Sequence, residues 1–201
     1  AKQSIIFVYS DEAKDKKSRE NVDEVRNLIA NINGFKKVSI IKQVKNKGLA
    51  RSIIDGVTEV VHEYGRAIVL EDDIVTSPLF LKFMNDGLDF YKEKRKVWHI
   101  SGWNYPIDFD SEDDVYFWRV MDCWGWATWA NRWKFFTKDT DDLLNTFTRE
   151  DIFKFNLDGC DNLWSQVENN SKGVIDTWAI YWYATIFKKN GLCLNPIKSY
   201  V

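Results

Sequence analysis

Residues 66–78 contain the feature that most constrains the fold. An apolar run over 67–70 is followed at once by the acidic triplet 71–73, and Ser77-Pro78 comes shortly afterwards. A short run that is apolar throughout, rather than alternating, is typical of a parallel strand covered on both faces. Because ligands of open α/β sheets bind beyond the carboxyl ends of such strands, the triplet is predicted to lie at a binding edge.

The first half of the chain alternates strand and helix signals. Short apolar or aromatic runs predict strands, and apolar residues at helical spacing predict the helices between them. Ser77 as N-cap and Pro78 at the first helical position are expected to start the last of these helices. The pattern predicts an α/β fold with a mostly parallel sheet flanked by helices. The predicted strands cover 5–9, 38–41, 67–70 and 97–101, and the helical stripes cover 22–32, 49–61 and 80–88.

Composition narrows the function classes. The chain has 201 residues and a net charge of −2, so a single domain is expected and nothing favours nucleic acid as a partner. Its three widely spaced cysteines are predicted to be free thiols in a reducing compartment. No signal pattern and no transmembrane segment are predicted. We expect a cytoplasmic location, either free in the cytoplasm or at the inner face of the membrane.

The two halves of the chain differ in aromatic content. All ten tryptophans lie between Trp98 and Trp182. After residue 102 the strand–helix alternation gives way to an acidic loop over 108–114, an aromatic strand over 115–120 and Trp-rich segments. Trp126, Trp129 and Trp133 are predicted to share a helical face, for which packing is the default explanation. The division predicts that the two halves, 1–102 and 103–201, have different roles and that the second half is irregular.

The acidic triplet suggests a metal site. Consecutive strand residues point to opposite faces, so Glu71, Asp72 and Asp73 can serve one ion together only if the strand has already become a loop. Mg²⁺ or Mn²⁺ accepts carboxylate oxygens together with substrate phosphate oxygens, so a single well-placed Asp is enough. A solvated acidic turn is the alternative interpretation.

Three motifs in order resemble bacterial GT-A-fold nucleotide-sugar glycosyltransferases related to the N-acetylglucosaminyltransferase I group. They are Asn-Lys-Gly-Leu-Ala (46–50), Ile-Val-Leu-Glu-Asp-Asp (68–73) and Trp-Gly-Trp-Ala-Thr-Trp (124–129). The resemblance implies a GT-A fold, Rossmann-like in its sheet, over nearly the whole chain. It also implies that the family's first strand–helix unit and its carboxyl-terminal Gly-rich segment are missing here.

The same resemblance assigns donor-side roles. Asp73 would bind the metal, Glu71 and Asp72 would face the ribose or donor sugar, and Asp11 would accept a hydrogen bond from the uracil. Glu12 stands where the family often has glycine, and an Asp11 that simply caps a turn is the alternative. Arg51 is a candidate contact for the diphosphate, with a solvated surface position as its alternative.

The acceptor side is predicted from the aromatic half. Trp124 and the Trp103-Asn104 pair are candidates because sugar rings stack on aromatic rings through their apolar faces. Gly125 is predicted to allow close approach of a ligand to the backbone. Asp176 lies where the family carries the carboxylate that takes the acceptor hydroxyl's proton. Asp176 also precedes a helical run, so an N-cap role is the alternative.

The sequence therefore predicts a glycosyltransferase that depends on Mn²⁺ or Mg²⁺. It would move a hexosyl or N-acetylhexosaminyl group from a nucleotide-diphosphate donor to a glycan or lipid-linked glycan. The resemblance implies that the nucleotide of the donor is UDP. The expected pathway is bacterial surface polysaccharide or lipopolysaccharide synthesis. Two alternatives stay open: a nucleotidyltransferase, for which no Gly-rich basic loop is found, and a non-catalytic carbohydrate-binding module.

Overall fold

The computed structural model describes residues 1–107 and 112–201. It comprises two compact units, Ala1–Gly56 and Val57–Val201. Residue 102, the predicted boundary between the donor-binding and acceptor-binding halves, lies inside the second unit. Residues 108–111 of the predicted acidic loop lie outside the described residues.

The first unit contains a small parallel sheet with a helix between its strands. Strands β1 and β2 pair in parallel from Ile5↔Lys37 to Ser10↔Lys42, which confirms this predicted β-α-β unit. The Arg26 side chain holds the strand ends together, because Nη2 donates to the carbonyl oxygens of Asp11 and Gln43 at 3.2 and 2.9 Å. The elements are β1 (Ile5–Ser10), α1 (Arg19–Ile29), β2 (Lys37–Lys42) and α2 (Leu49–Tyr64), whose second half belongs to the other unit.

The second unit is built on a five-stranded sheet with the order β3-β6-β4-β7-β5. Its strands are β3 (Arg66–Val69), β4 (Val97–Ser101), β5 (Val115–Trp118), β6 (Trp126–Trp129) and β7 (Leu192–Pro196). Its helices are α3 (Phe80–Phe90), α4 (Ala130–Trp133), α5 (Thr140–Thr146), α6 (Arg149–Phe155), α7 (Trp164–Ser171) and α8 (Ala179–Lys188). The longest described helix, α2, has 16 residues, and none of the helices in the described ranges combines the length and apolarity needed to span a bilayer.

The sheet of the second unit is mixed, so the chain is α/β as predicted but its sheet is not mostly parallel. Among the described strands, β4 and β7 pair in parallel, whereas β3–β6, β6–β4 and β7–β5 pair antiparallel. The reason is that β6 inserts between β3 and β4, which the sequence predicts to be consecutive parallel strands.

The prediction that Trp126 and Trp129 share a helical face is wrong. Both lie in β6, whose four residues are all buried, and only the four residues after Trp129 form the helical turn α4. Residues three apart in a strand point to opposite faces. Trp126 therefore packs on one side of the sheet and Trp129 on the other.

Each face of this sheet has its own core. On one face, Trp129 packs with Phe80, Met84 and Leu88 of α3, and its Nε1 donates to the Leu88 carbonyl oxygen at 3.0 Å. On the opposite face, Trp126 stacks between two aromatic side chains. Its ring centroid lies 5.3 Å from that of His99 and 5.1 Å from that of Trp178. Both faces of the central strand β6 are therefore covered, and its four residues are all buried.

Helix α3 begins later than predicted. Its N-cap residue is Leu79 and its first helical residue is Phe80, so Ser77 does not cap the helix. Instead the Ser77 amide donates to the Tyr200 carbonyl oxygen at 2.7 Å, and the Phe80 amide donates to the Ser77 carbonyl oxygen at 3.1 Å. The backbone of Ser77 is thus used to anchor the carboxyl-terminal segment.

Candidate functional site

Three loops leave the sheet of the second unit at one edge. Val69, the last residue of β3, and Ser101, the last residue of β4, both pair with Trp126, the first residue of β6. Because β6 runs antiparallel to its two neighbours, the segment that precedes it emerges beside the segments that follow β3 and β4. Residues 70–73, 102–105 and 122–125 are therefore neighbours in space.

The acidic triplet forms a turn at this edge. The Ile74 amide donates to the Glu71 carbonyl oxygen at 3.2 Å, so the strand has become a loop, as a shared ligand site requires. Asp72 and Asp73 are exposed and Glu71 is partly buried. Burial, and then the negative charges of Asp73 and Asp72, raise the pKa of Glu71. The three carboxylates repel one another, and a bound cation would relieve that repulsion.

The chemistry of the triplet fits a hard divalent cation. It offers oxygen ligands alone, which suits Mg²⁺ or Mn²⁺ that also binds phosphate oxygens. Over residues 1–107 and 112–201, no three His, Cys, Asp or Glu side chains are arranged to hold a metal by themselves. Asp73 would thus be one ligand among several supplied by a bound diphosphate and water.

An aromatic group lies on the two neighbouring loops of the same edge. The Trp103 ring centroid lies 4.6 Å from that of Trp124 and 4.5 Å from that of Tyr105, and Tyr105 lies 6.0 Å from Trp118. Trp124 is 44 % exposed and Tyr105 is 41 % exposed. Trp103, Tyr105, Trp118 and Trp124 are called the aromatic cluster below. The structure thus brings two of the predicted acceptor-side residues, Trp103 and Trp124, into contact.

Gly125 is required by packing at this edge. Its φ is +66°, and a Cβ there would lie 2.9 Å from Val201 Cγ1 and 3.0 Å from the Phe80 ring. Its carbonyl oxygen accepts a hydrogen bond from the Gly102 amide at 2.6 Å. The space beside Gly125 is therefore filled by the protein's own side chains, and the predicted close approach of a ligand is not needed to explain the glycine.

Asn104 is also held within the protein. It is buried, its Nδ2 donates to the Ile197 carbonyl oxygen at 2.8 Å, and its Oδ1 accepts from the Tyr116 hydroxyl at 2.7 Å. These bonds use one of its two amide protons and one lone pair. Asn104 thus fixes the Trp103 loop against the chain's last residues, and a direct contact with substrate stays a prediction.

Asp176 precedes α8 without capping it. The N-cap residue is Trp178, with no side-chain capping bond, so the alternative role is not observed. Trp178 stacks on Trp126, the first residue of β6. The Asp176 side chain is 72 % exposed and pairs with Lys138. Lys138 in turn lines an open polar cleft of about 390 Å³.

The other two predicted donor-side residues lie in the first unit. The Asp11 carboxylate accepts hydrogen bonds from the amides of Glu12, Lys47 and Gly48 at 2.8 to 3.1 Å. The Lys47 and Gly48 bonds fix the turn before α2, whereas the alternative role concerned the turn before α1, to which only the Glu12 bond belongs. Arg51 is largely exposed and pairs with Asp55 at 2.8 Å. Recognition of a base by Asp11 and of a diphosphate by Arg51 stay predictions.

Asp122 is the residue of this edge that the sequence analysis missed. It lies in the segment between β5 and β6, is only 8 % exposed, and burial raises the pKa of its carboxyl group to about 7. Cys123 connects it to the acidic triplet: burial raises the pKa of this thiol to about 11, and the charges of Glu71, Asp122 and Asp73 add to the effect. A single acid in the apolar run Val-Met-Asp-Cys-Trp (120–124) was the signal that could have identified it.

The chain matches no protein-family model, and a search of curated proteins found no match.

Proposed function

We propose that this protein is a metal-dependent glycosyltransferase that uses a nucleotide-diphosphate sugar, with UDP as the nucleotide, and a carbohydrate acceptor. The observation that carries the proposal is the meeting of an acidic turn and a partly exposed aromatic cluster at one sheet edge. Acids and a cation suit a diphosphate, and aromatic rings suit a sugar. A glycosyltransferase needs both in one place.

The donor would bind at the acidic turn. Asp73 would hold the cation, and Glu71 and Asp72 would accept hydrogen bonds from ribose or donor-sugar hydroxyls. When bound, the cation neutralises the charge that develops on the leaving diphosphate. The chain's own contribution is to keep three carboxylates together in the turn after β3 despite their repulsion.

Asp176 is the proposed general base for an inverting transfer. The acceptor hydroxyl oxygen forms a bond to the anomeric carbon, the bond from that carbon to the diphosphate oxygen breaks, and the diphosphate leaves with the electron pair. The hydroxyl proton passes to the Asp176 carboxylate. The high exposure of Asp176 leaves it accessible to an acceptor, and Lys138 must release it during the step.

Thermal unfolding in the presence of UDP and MnCl₂ tests the donor site. A ligand at about 100 times its dissociation constant stabilises the folded state by about 2.7 kcal/mol. For a chain of this size that corresponds to a rise in Tm of roughly 5–10 °C. We expect the rise to require UDP and Mn²⁺ together. Asp73→Asn should abolish it, because the substitution removes the charge but keeps the shape.

Asp86→Asn is the matched control. Asp86 lies on α3, is exposed and pairs with Lys82 on the surface, so its variant should retain the full rise. Equal stabilisation of the Asp73 and Asp86 variants would refute the metal assignment. Stabilisation by glycans without UDP or Mn²⁺ would favour the carbohydrate-binding module. Release of pyrophosphate from a nucleoside triphosphate and a sugar 1-phosphate would favour the nucleotidyltransferase.

A further inference from the structure

Asp122 has a fixed backbone. The Trp182 Nε1 group donates to His99 Nδ1 at 3.3 Å, and His99 Nε2 lies 3.0 Å from the Asp122 carbonyl oxygen. Because the indole nitrogen can only donate, Nδ1 must accept, so the His99 proton is on Nε2 and is donated to Asp122. Burial lowers the pKa of His99 to about 3, which keeps the ring neutral and this arrangement unchanged at neutral pH.

The Asp122 carboxylate, in contrast, is left without a partner. As a whole residue Asp122 is 8 % exposed, and no group within 1–107 or 112–201 donates a hydrogen bond to its carboxylate or forms an ion pair with it. Its oxygens are not among the fully buried unpaired atoms of the described residues, so they reach the surface and are open to a ligand. Buried carboxylates are normally hydrogen-bonded or ion-paired, and an unpartnered one is costly. Such a group is expected where a ligand supplies the missing donors.

The surroundings of Asp122 define the chemistry of that ligand. Asp122 interacts electrostatically with the hydroxyl groups of Tyr105 and Tyr116. The Tyr116 proton is already donated to Asn104. Tyr105 belongs to the aromatic cluster, and Trp124 of the same cluster is two residues from Asp122. A carboxylate beside exposed aromatic rings offers both surfaces that a sugar needs, a stacking plane for its C–H face and an acceptor for a hydroxyl.

We infer that Asp122 is a sugar-binding residue of the acceptor subsite: a pyranose ring stacks on the aromatic cluster while one of its hydroxyls donates a hydrogen bond to the Asp122 carboxylate. The inference rests on the proposed function and adds a specificity-determining residue to it.

Ligand-observed NMR with methyl glycosides of glucose, galactose and N-acetylglucosamine tests the inference. The titrations contain neither UDP nor Mn²⁺. At pH 8, where a carboxyl group with a pKa of about 7 is mostly ionised, we expect at least one glycoside to bind the wild-type protein. Asp122→Asn should weaken that binding about tenfold, since hydrogen bonds to charged groups are stronger than those to neutral ones. Trp124→Ala should weaken the same glycoside by removing the stacking plane. Asp86→Asn, the exposed control, should bind as the wild type does.

The outcomes separate this inference from the proposed function. No binding of any of the three glycosides to the wild type, or unchanged binding to Asp122→Asn, would overturn the inference. Either result leaves the UDP–Mn²⁺ experiment intact, because that experiment probes Asp73. Conversely, Asp122-dependent glycoside binding without any UDP–Mn²⁺ effect would support the subsite and refute the transferase.

Discussion

Replacing Asp122 by Asn should stabilise the protein, and the gain should depend on pH. The folded-state pKa of Asp122 is about 7, against an ordinary value of 3.8. Between pH 4 and pH 7 the folded state therefore binds more protons than the unfolded state, and the free energy of unfolding falls as pH rises. Each unit of pKa difference corresponds to about 1.4 kcal/mol, so the wild type loses as much as about 4 kcal/mol across this range.

The Asp122→Asn variant should not show this decrease in the free energy of unfolding, because its side chain does not ionise. Its free energy of unfolding should equal that of the wild type near pH 4 and exceed it by about 4 kcal/mol at pH 8. Five neighbouring groups should not titrate in this window, because burial raises the pKa of the tyrosines and thiols and lowers the pKa of the imidazole. They are Tyr105, Tyr116, Cys123, Cys193 and His99. Glu71, whose pKa burial and the charges of Asp73 and Asp72 raise from 4.5, titrates within the window in both proteins.

Urea unfolding of both proteins at pH 4, 5, 6, 7 and 8, followed by circular dichroism, measures the effect. When the free energy of unfolding of the wild type is subtracted from that of Asp122→Asn, the contributions of all other titrating groups that the substitution leaves unchanged cancel. Asp86→Asn should differ from the wild type by less than about 1 kcal/mol throughout, as is usual for an exposed ion pair. A difference between Asp122→Asn and wild type that stays constant with pH would refute the reasoning that burial raises this pKa.

Further expected outcomes concern packing, charge and catalysis. Gly102→Ala should lower the free energy of unfolding by about 1–3 kcal/mol in urea titrations, because its Cβ would lie 2.7 Å from a backbone oxygen. Trp126→Ala should cost about 3–5 kcal/mol in the same assay, whereas Phe153→Ala, at a half-exposed position, should cost far less. Asp72→Asn should stabilise the metal-free protein by a few tenths of a kcal/mol at low salt, and this gain should disappear at high salt. Asp176→Asn should keep the UDP–Mn²⁺ rise in Tm but stop sugar transfer in an assay of UDP release; preserved turnover would exclude it as the base.

Strands with a local signature were predictable from the sequence. The apolar runs at 5–9, 38–41 and 97–101 lie within strands, and the run at 67–70 overlaps β3 (Arg66–Val69). The prediction that this last run is a parallel strand covered on both faces is wrong, because β3 is the edge strand of its sheet and pairs antiparallel with β6. The turn at Glu71–Asp73 meets the condition under which the three acids could serve one ion, and it equally fits the alternative of a solvated acidic turn.

Pairing of distant segments was not predictable in the same way. The spacing of Trp126, Trp129 and Trp133 fits a helical stripe, yet the first two lie in a strand buried on both faces, where alternation cannot be recognised. Insertion of β6 between β3 and β4 depends on contacts far apart in sequence. The same holds for Asp122, whose unpartnered carboxylate is a property of the folded neighbourhood and not of any local motif.

The path of the last residues has a practical consequence. Tyr200 is hydrogen-bonded through its backbone to Ser77 and Gly102, and Val201 lies against Gly125, all at the edge that carries the acidic turn. A polyhistidine tag fused after Val201 would therefore place imidazoles within reach of any divalent cation added to the assay. Purification through an amino-terminal tag that is cleaved off afterwards avoids a false metal signal.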